Sequence, residues 1–380
     1  MFKKIRNHLK EYKFSNLNFR IIIYVLALTA IGVITIGSAT DDSSYQIKQL
    51  VGFGLGLAGM IFFMLFDHKI VFKFYWLTYA LTILALLSVL VLGTSSKGAK
   101  RWIDLRVIRF QPSEFVKVLF IIFLVCYLAK HKDTLDTFKT LATITVLSLI
   151  PLGLIYKEPD LSTTIVYFVT FCVIMFLSGV HYKIIAGILI IFLPLILVVG
   201  YIVIQPESGI LDKYQYDRIT GFLNDSGKDS DGDRYQQENS ILAIGSGGLQ
   251  GKGLDNENST SVKNGNFIAE AHTDFIFTVI GEELGFVGGA SVIILLFLIL
   301  LECFITGSRA PDLAGRLYCY GYGIVIGIQT FINISVATMI LPNTGLTLPF
   351  VSYGLTSLLS MYCGIGILLN ISLQRRKAYN

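Results

Sequence analysis

The stretch FIAEAHTDFIF, residues 267–277, gathers Glu270, His272, Thr273 and Asp274 at the doorway of a long apolar run. A carboxylate partly withdrawn from water at such a position can have its pKa raised and serve as a general base. A blander reading stays open beside it. Thr273 or His272 can cap the helix that follows, and Asp274 near its N-terminus is favoured by the helix dipole. Capping explains one carboxylate and not the cluster. Glu282 and Glu283 follow deeper in the same apolar run.

Four further motifs carry charge beside apolar segments. KGAKRW, residues 97–102, brings Lys97, Lys100 and Arg101 up to Trp102. It suits a surface anchor or a clamp on phosphate oxygens, for which arginine offers a forked set of donors. In QPSEFVK, Glu114 and Lys117 are spaced to meet on one helix face, and Pro112 suits the first turn. They form either a neutralising pair or a group in which Lys117 helps hold an anion. KEPDLSTT carries Lys157, Glu158 and Asp160, with Asp160 placed to cap the next helix. GSGGLQGKG, residues 245–253, lacks the Walker spacing because Gly253 follows Lys252. Its backbone suits approach to a lipid headgroup or a plain turn, and Ser246 and Lys252 are its candidate contacts. DSDGDRYQQE fails as a calcium loop, since Arg234 occupies the glycine position and Ser240 the glutamate position.

These motifs need a scaffold, and composition names its class. The chain has 380 residues, 53% of them hydrophobic, with a mean hydropathy of +0.66. Charge-free runs at 161–179 and 184–204 are long enough to cross a bilayer as helices. The expectation is an all-α polytopic membrane protein, a single integral domain over 1–380. Ten spans are predicted near 20–39, 47–66, 72–92, 113–130, 138–156, 161–179, 184–205, 275–305, 316–340 and 352–373. Basic residues in both tails, 1–19 and 374–380, assign the termini to the cytoplasm. A large extracytoplasmic loop, 206–274, then joins the seventh and eighth helices. Its middle, DSGKDSDGDRYQQE (residues 225–238), reads as flexible and ILAIGSGGLQGKGL as ordered. His272 becomes the outward histidine, while His8, His68, His131 and His181 fall on cytoplasmic stretches.

The five cysteines lie inside apolar segments and show neither disulfide nor metal spacing. A net charge of +5 fits positive-inside topology and makes no case for nucleic acid. LPNTGLTLPFVSYGLTS, residues 341–357, has the prolines, glycines and hydroxyls of a re-entrant loop. Such backbone is tolerated at membrane depth only inside protein or beside a cavity.

GAKRWIDL, FQPSEFVK, KEPDLST, GSGGLQGKGL, EAHTDFIFTVIGEELGFVGG and LPNTGLTLPFVSYG, in that order, resemble the signatures of the SEDS proteins (shape, elongation, division and sporulation). RodA and FtsW typify that family, and the short termini lean toward RodA. The resemblance implies a ten-helix glycosyltransferase that polymerises lipid II on the outer face of the bacterial cytoplasmic membrane. By motif, the family's essential aspartate falls on Asp274, its arginine on Arg101, and its glutamate and lysine on Glu114 and Lys117. It further implies a class B penicillin-binding protein as partner, other elongation or division proteins, and a divalent cation, Mg2+ or Mn2+, whose ligands the sequence does not name.

On that reading Asp274 deprotonates the acceptor hydroxyl, and Lys100, Arg101, Lys117 and Lys252 face the departing pyrophosphate. Trp102, Glu114, Asp160, Ser246, Glu270, His272, Thr273 and Ser352 complete the expected substrate contacts. One departure stands at Leu355, where many relatives carry a second glycine after Gly354. A lipid II flippase of the same fold is the competing class. A scaffold for the penicillin-binding protein is weaker, since it leaves Asp274 and the basic loop without a role.

Overall fold

The computed structural model describes residues 14–96, 99–104, 109–181, 232–255, 261, 265 and 267–374. The predicted seventh span, 184–205, and most of the loop before residue 232 lie outside them. Twelve helices are named below in chain order, among the described residues.

The first spans are α1 (Phe19–Ala39) and α2 (Ser43–Leu65), the latter capped by Asp42, whose carboxylate accepts the Ser44 N–H. A short α3 (His68–Lys73), capped by Asp67, leads into α4 (Tyr75–Leu92). Next come α5 (Pro112–Lys130), α6 (Phe138–Lys157) and α7 (Leu161–Leu177). Pro112 opens α5 where its missing N–H costs nothing, and Glu114 and Lys130 sit at the ends that suit the dipole. After α8 (Asp233–Ser246) follow α9 (Ile276–Glu283), α10 (Gly285–Ser308), α11 (Leu313–Ala337) and α12 (Leu355–Leu373).

Eight of these helices are long and apolar enough to cross a membrane, and α7 is a shorter apolar one. The polytopic helical expectation holds. Burial sorts the spans. Most of α5 and nearly all of α12 are enclosed by protein, so they form the centre. The outer spans keep an apolar face outward, as Ile23, Leu50, Leu84, Val91, Ile294 and Phe297 show. In lipid those faces need no protein cover.

Three features differ from the sequence expectation. The predicted span 275–305 is two helices, broken at Leu284. Gly285 takes a φ of +64°, and a Cβ there would run into the Gly251 nitrogen. The GSGGLQGKG stretch packs into this break. Lys252 and Gly253 donate their N–H groups to the Glu282 and Glu283 carbonyls, and Phe286 and Val287 donate back to Gly248 and Leu249. Glu282 and Glu283 therefore end a short helix and do not stand inside a continuous span. Second, residues 233–238, read as flexible, belong to α8, which packs on α9. Gln237 and Ser240 pin it to carbonyls of Val336, Leu341 and Ala337. Third, the loop after α4 forms a small antiparallel sheet of β1 (Thr94–Ser96), β2 (Ala99–Asp104) and β3 (Arg109–Phe110).

Candidate active site

Residues 341–354 are held by α2, α7, α11 and the HTDF turn. From α7, Ser162 donates its hydroxyl to the Thr344 carbonyl at 2.8 Å. From α11, Gln329 Nε2 donates to the Thr347 carbonyl at 3.1 Å, and Asn333 Nδ2 to the Leu346 carbonyl at 2.6 Å. From the HTDF turn, the Thr273 carbonyl accepts the Ser352 hydroxyl at 2.7 Å, and the His272 carbonyl accepts the Tyr353 N–H at 2.9 Å. Gln49 of α2 holds the far side, donating to the Ser352 carbonyl and accepting from Gly354. Irregular backbone is thus satisfied by amides and hydroxyls of the surrounding helices, as membrane depth demands.

Asp274 lies half-buried in the turn just before α9, and its carbonyl accepts the Asn333 amide at 2.8 Å. The same amide nitrogen serves Leu346, so Asn333 ties turn and loop together. Thr273 folds its hydroxyl and its N–H back onto the Glu270 carbonyl, which fits the left-handed φ of +53° at Glu270. Glu270 itself is exposed. His272 is buried, with its ring 4.4 Å from that of Tyr45 and 5.4 Å from that of Tyr353. Burial lowers the His272 pKa, and the nearby Glu270 charge opposes that shift.

A second group forms around β2. Arg101 donates to the Pro159 carbonyl and stands 3.9 Å from an Asp160 oxygen. Asp160 caps α7 through the Thr163 N–H at 3.1 Å and receives Gln111 at 3.5 Å. Asp160 therefore caps a helix, as its place in KEPDLSTT predicts, and also stands beside the Arg101 guanidinium. Beside it Glu158 is fully buried, and its carboxyl pKa is pushed up to about 9 by burial and by the Asp160 charge, against the pull of Arg101. Trp102 is half-buried in β2, and its carbonyl accepts the Thr94 hydroxyl. Lys100 stands in β2 opposite Ser95, while Lys97 lies outside the described residues.

A third group is buried at the head of α5. Lys117 Nζ donates to Glu114 at 2.8 Å and to the Gln329 oxygen at 3.0 Å. Through Gln329 the pair reaches Thr347 of the loop. This geometry favours the neutralising-pair reading, with Gln329 linking the pair to the loop.

Two expected contacts point elsewhere. Lys252 binds Glu282 at 2.7 Å, at the break between α9 and α10. Ser246 returns its hydroxyl to the Ala243 carbonyl of its own helix. Gln329, Asn333, Tyr45 and Tyr353 were not among the expected residues. The first two carried a legible signal, because amides one turn apart in an apolar span require partners.

The chain matches the family profile FTSW_RODA_SPOVE, described as "Cell cycle protein", over residues 16–377. It is similar to a probable peptidoglycan glycosyltransferase FtsW of Trichlorobacter lovleyi, 32% identical over 377 residues, covering 96% of this chain and 95% of that one. Among solved structures, one from a study of polymerization and crosslinking by a peptidoglycan synthase complex superposes with a TM-score of 0.78 at 27% identity. It covers 95% of this chain and 99% of that one. The rod shape determining protein RodA of Thermus thermophilus superposes with a TM-score of 0.68 at 26% identity, covering 95% and 98%. An FtsW and a RodA thus both align over nearly the whole length, and the chain belongs to the SEDS family of peptidoglycan glycosyltransferases.

Proposed function

We propose that this chain polymerises glycan strands from lipid II at the outer face of the bacterial cytoplasmic membrane. The observation that carries the reading is that the Asp274 turn, Ser162 of the helix capped by Asp160, and Gln329, which holds Lys117, all bind residues 341–354. Asp274 accepts the proton of the acceptor 4-hydroxyl as that oxygen attacks the donor's anomeric carbon. The bond from that carbon to the pyrophosphate oxygen breaks with inversion, and undecaprenyl pyrophosphate leaves as an anion. Arg101 and Lys100, on the strand beside Asp160, are the cations proposed to receive it. Preorganised positive charge at a leaving anion is commonly the larger catalytic contribution. Trp102, Glu270 and the His272–Tyr45–Tyr353 rings are proposed to border the sugar-bearing part of the substrate.

A divalent cation remains part of the proposal, with Mg2+ or Mn2+ as candidates. Among the described residues no three His, Cys, Asp or Glu side chains gather into a cage. That leaves the ion's ligands unassigned in this chain. Such an ion would neutralise charge on the leaving group.

A class B penicillin-binding protein is the proposed partner, supported by the likeness to a structure from a peptidoglycan synthase complex. The deciding experiment supplies purified lipid II to the Asp274→Asn protein, with and without that partner. Loss of glycan chains in a folded protein is expected, and full polymer ladders would sink the base assignment.

One observation favours a second reading. Discontinuous helices are a device of transporters, and the segment 276–308 is discontinuous at Leu284. A lipid II flippase would move lipid II across liposomes without forming polymer, so the same preparation separates the two.

A further inference from the structure

Glu158 sits in the turn between α6 and α7 with no exposed surface. Among the described residues neither of its carboxyl oxygens has a hydrogen-bond partner. The groups around it are already engaged. Arg101, reaching in from β2, is taken up by the Pro159 carbonyl and by Asp160. Asp160 holds the Thr163 N–H and the Gln111 amide. Tyr167 of α7 faces Glu158, Asp160 and Glu114, and its hydroxyl is donated to the Ser113 carbonyl. Lys157, the neighbour in sequence, is exposed. An ionised carboxylate in this place would be buried without a donor and pressed against a second carboxylate, which is among the costliest arrangements in a protein.

We propose that Glu158 works as a neutral carboxylic acid, a positioning residue that keeps the Arg101–Asp160 pair aimed at the departing phosphate without competing for the arginine's charge. The proposal rests on the polymerase reading given above. The neutral acid fills the turn and offers one O–H to the site, so it does not draw Arg101 away from Asp160. Burial and the Asp160 charge hold the Glu158 proton on up to about pH 9. Above that value Glu158 gains charge, pulls on Arg101 and disturbs the pair.

The test compares full-length wild type, Glu158→Gln and Asp274→Asn with lipid II from neutral to alkaline pH. Gln mimics the neutral acid, so E158Q should keep the neutral-pH rate within about threefold. Wild type should lose activity as pH rises through about 9, and E158Q should lose that alkaline fall. Two outcomes overturn the proposal. One is an E158Q protein that melts like wild type yet is as inactive as D274N, which would mean that the ionised carboxylate is required. The other is an E158Q protein with the wild-type alkaline fall. A second readout needs neither turnover nor a stable variant. Infrared spectra of wild type with isotope-labelled glutamate should show a protonated carboxyl band at neutral pH that disappears on alkalinisation. No such band overturns the proposal. If wild type forms no polymer at all, the polymerase reading fails and the infrared result still decides the proton.

Discussion

The Ser352 hydroxyl donates to the Thr273 carbonyl across 2.7 Å while its own oxygen receives the Leu348 N–H at 2.8 Å. One small side chain thereby fixes residues 341–354 to the turn that presents Asp274. Ser352→Ala leaves a buried donor and a buried acceptor without their partner. The expected cost is about 1–3 kcal/mol. Thermal unfolding in detergent should record that loss. Steady-state kinetics should show a fall in kcat larger than the change in KM, because a misplaced base slows chemistry more than binding.

Asp274→Asn should lower polymerisation by at least about a hundredfold, the scale of losing a positioned base. Its melting temperature should stay close to wild type, since the Asp274 contact to Asn333 is made by the backbone carbonyl. Gel separation of glycan chains reads the first effect and thermal unfolding the second.

Arg101→Lys should fail to rescue what Arg101→Ala loses. The guanidinium serves the Pro159 carbonyl and Asp160 together, and an ammonium on a flexible stem cannot reproduce that fork. A drop of about tenfold or more in rate is expected for both variants. Equal activity of R101K and wild type would show that charge alone suffices.

The buried Glu114–Lys117 pair invites a double-mutant cycle. Lys117→Met or Glu114→Gln alone strands the other group and should cost about 3–5 kcal/mol. The double variant should recover much of that stability. Activity should not recover with it, because Gln329 loses the ammonium that holds its oxygen. Unfolding curves and polymer assays on the four proteins complete the cycle.

His272 gives an acid-side prediction. Burial holds its folded pKa below the ordinary value of 6.5, so the unfolded chain binds the proton more readily. The stabilising effect of the neutral ring is complete above about 6.5 and is lost as pH falls through the lower folded value. Wild type should therefore destabilise on acidification in that range, and His272→Gln should lose part of the pH dependence. Melting temperatures taken across that range test it.

Much of this molecule is legible in the order of its residues, for physical reasons that also explain the gaps. Apolar runs locate the spans because lipid permits little else, and α5 begins at Pro112, close to where its run begins. The break at Leu284 escapes because apolar residues resume at once beyond Glu282 and Glu283, so the run reads as one span. Of Gly281, Gly285, Gly288 and Gly289, only Gly285 bends the chain through a positive φ. The small sheet escapes because strands as short as Arg109–Phe110 carry no alternation to read. In the site, Asp274, Arg101 and the Glu114–Lys117 pair stand out as charges beside apolar sequence. Gln329 and Asn333 carry no charge, so their weaker signal of two amides in an apolar span is easily passed over, although they hold the loop. Glu158 is visible as a letter, but its burial comes from β2 and α7 closing over the turn.

The break in the eighth span also sets a pairing rule between distant positions. Glu282 and Glu283 close α9 at its carbonyl end, where the helix dipole repels a negative charge. Lys252 answers the first at 2.7 Å and the Ser38 hydroxyl answers the second at 2.6 Å. Two stretches far apart in the chain, at Ser38 and at Lys252, therefore satisfy the carboxylates at one unfavourable helix end. A relative that drops Lys252 should change Glu282 as well, and one that enlarges Gly251 should straighten or reshape the helix break. Covariation between these columns would record that rule in the family's history, independently of any assay.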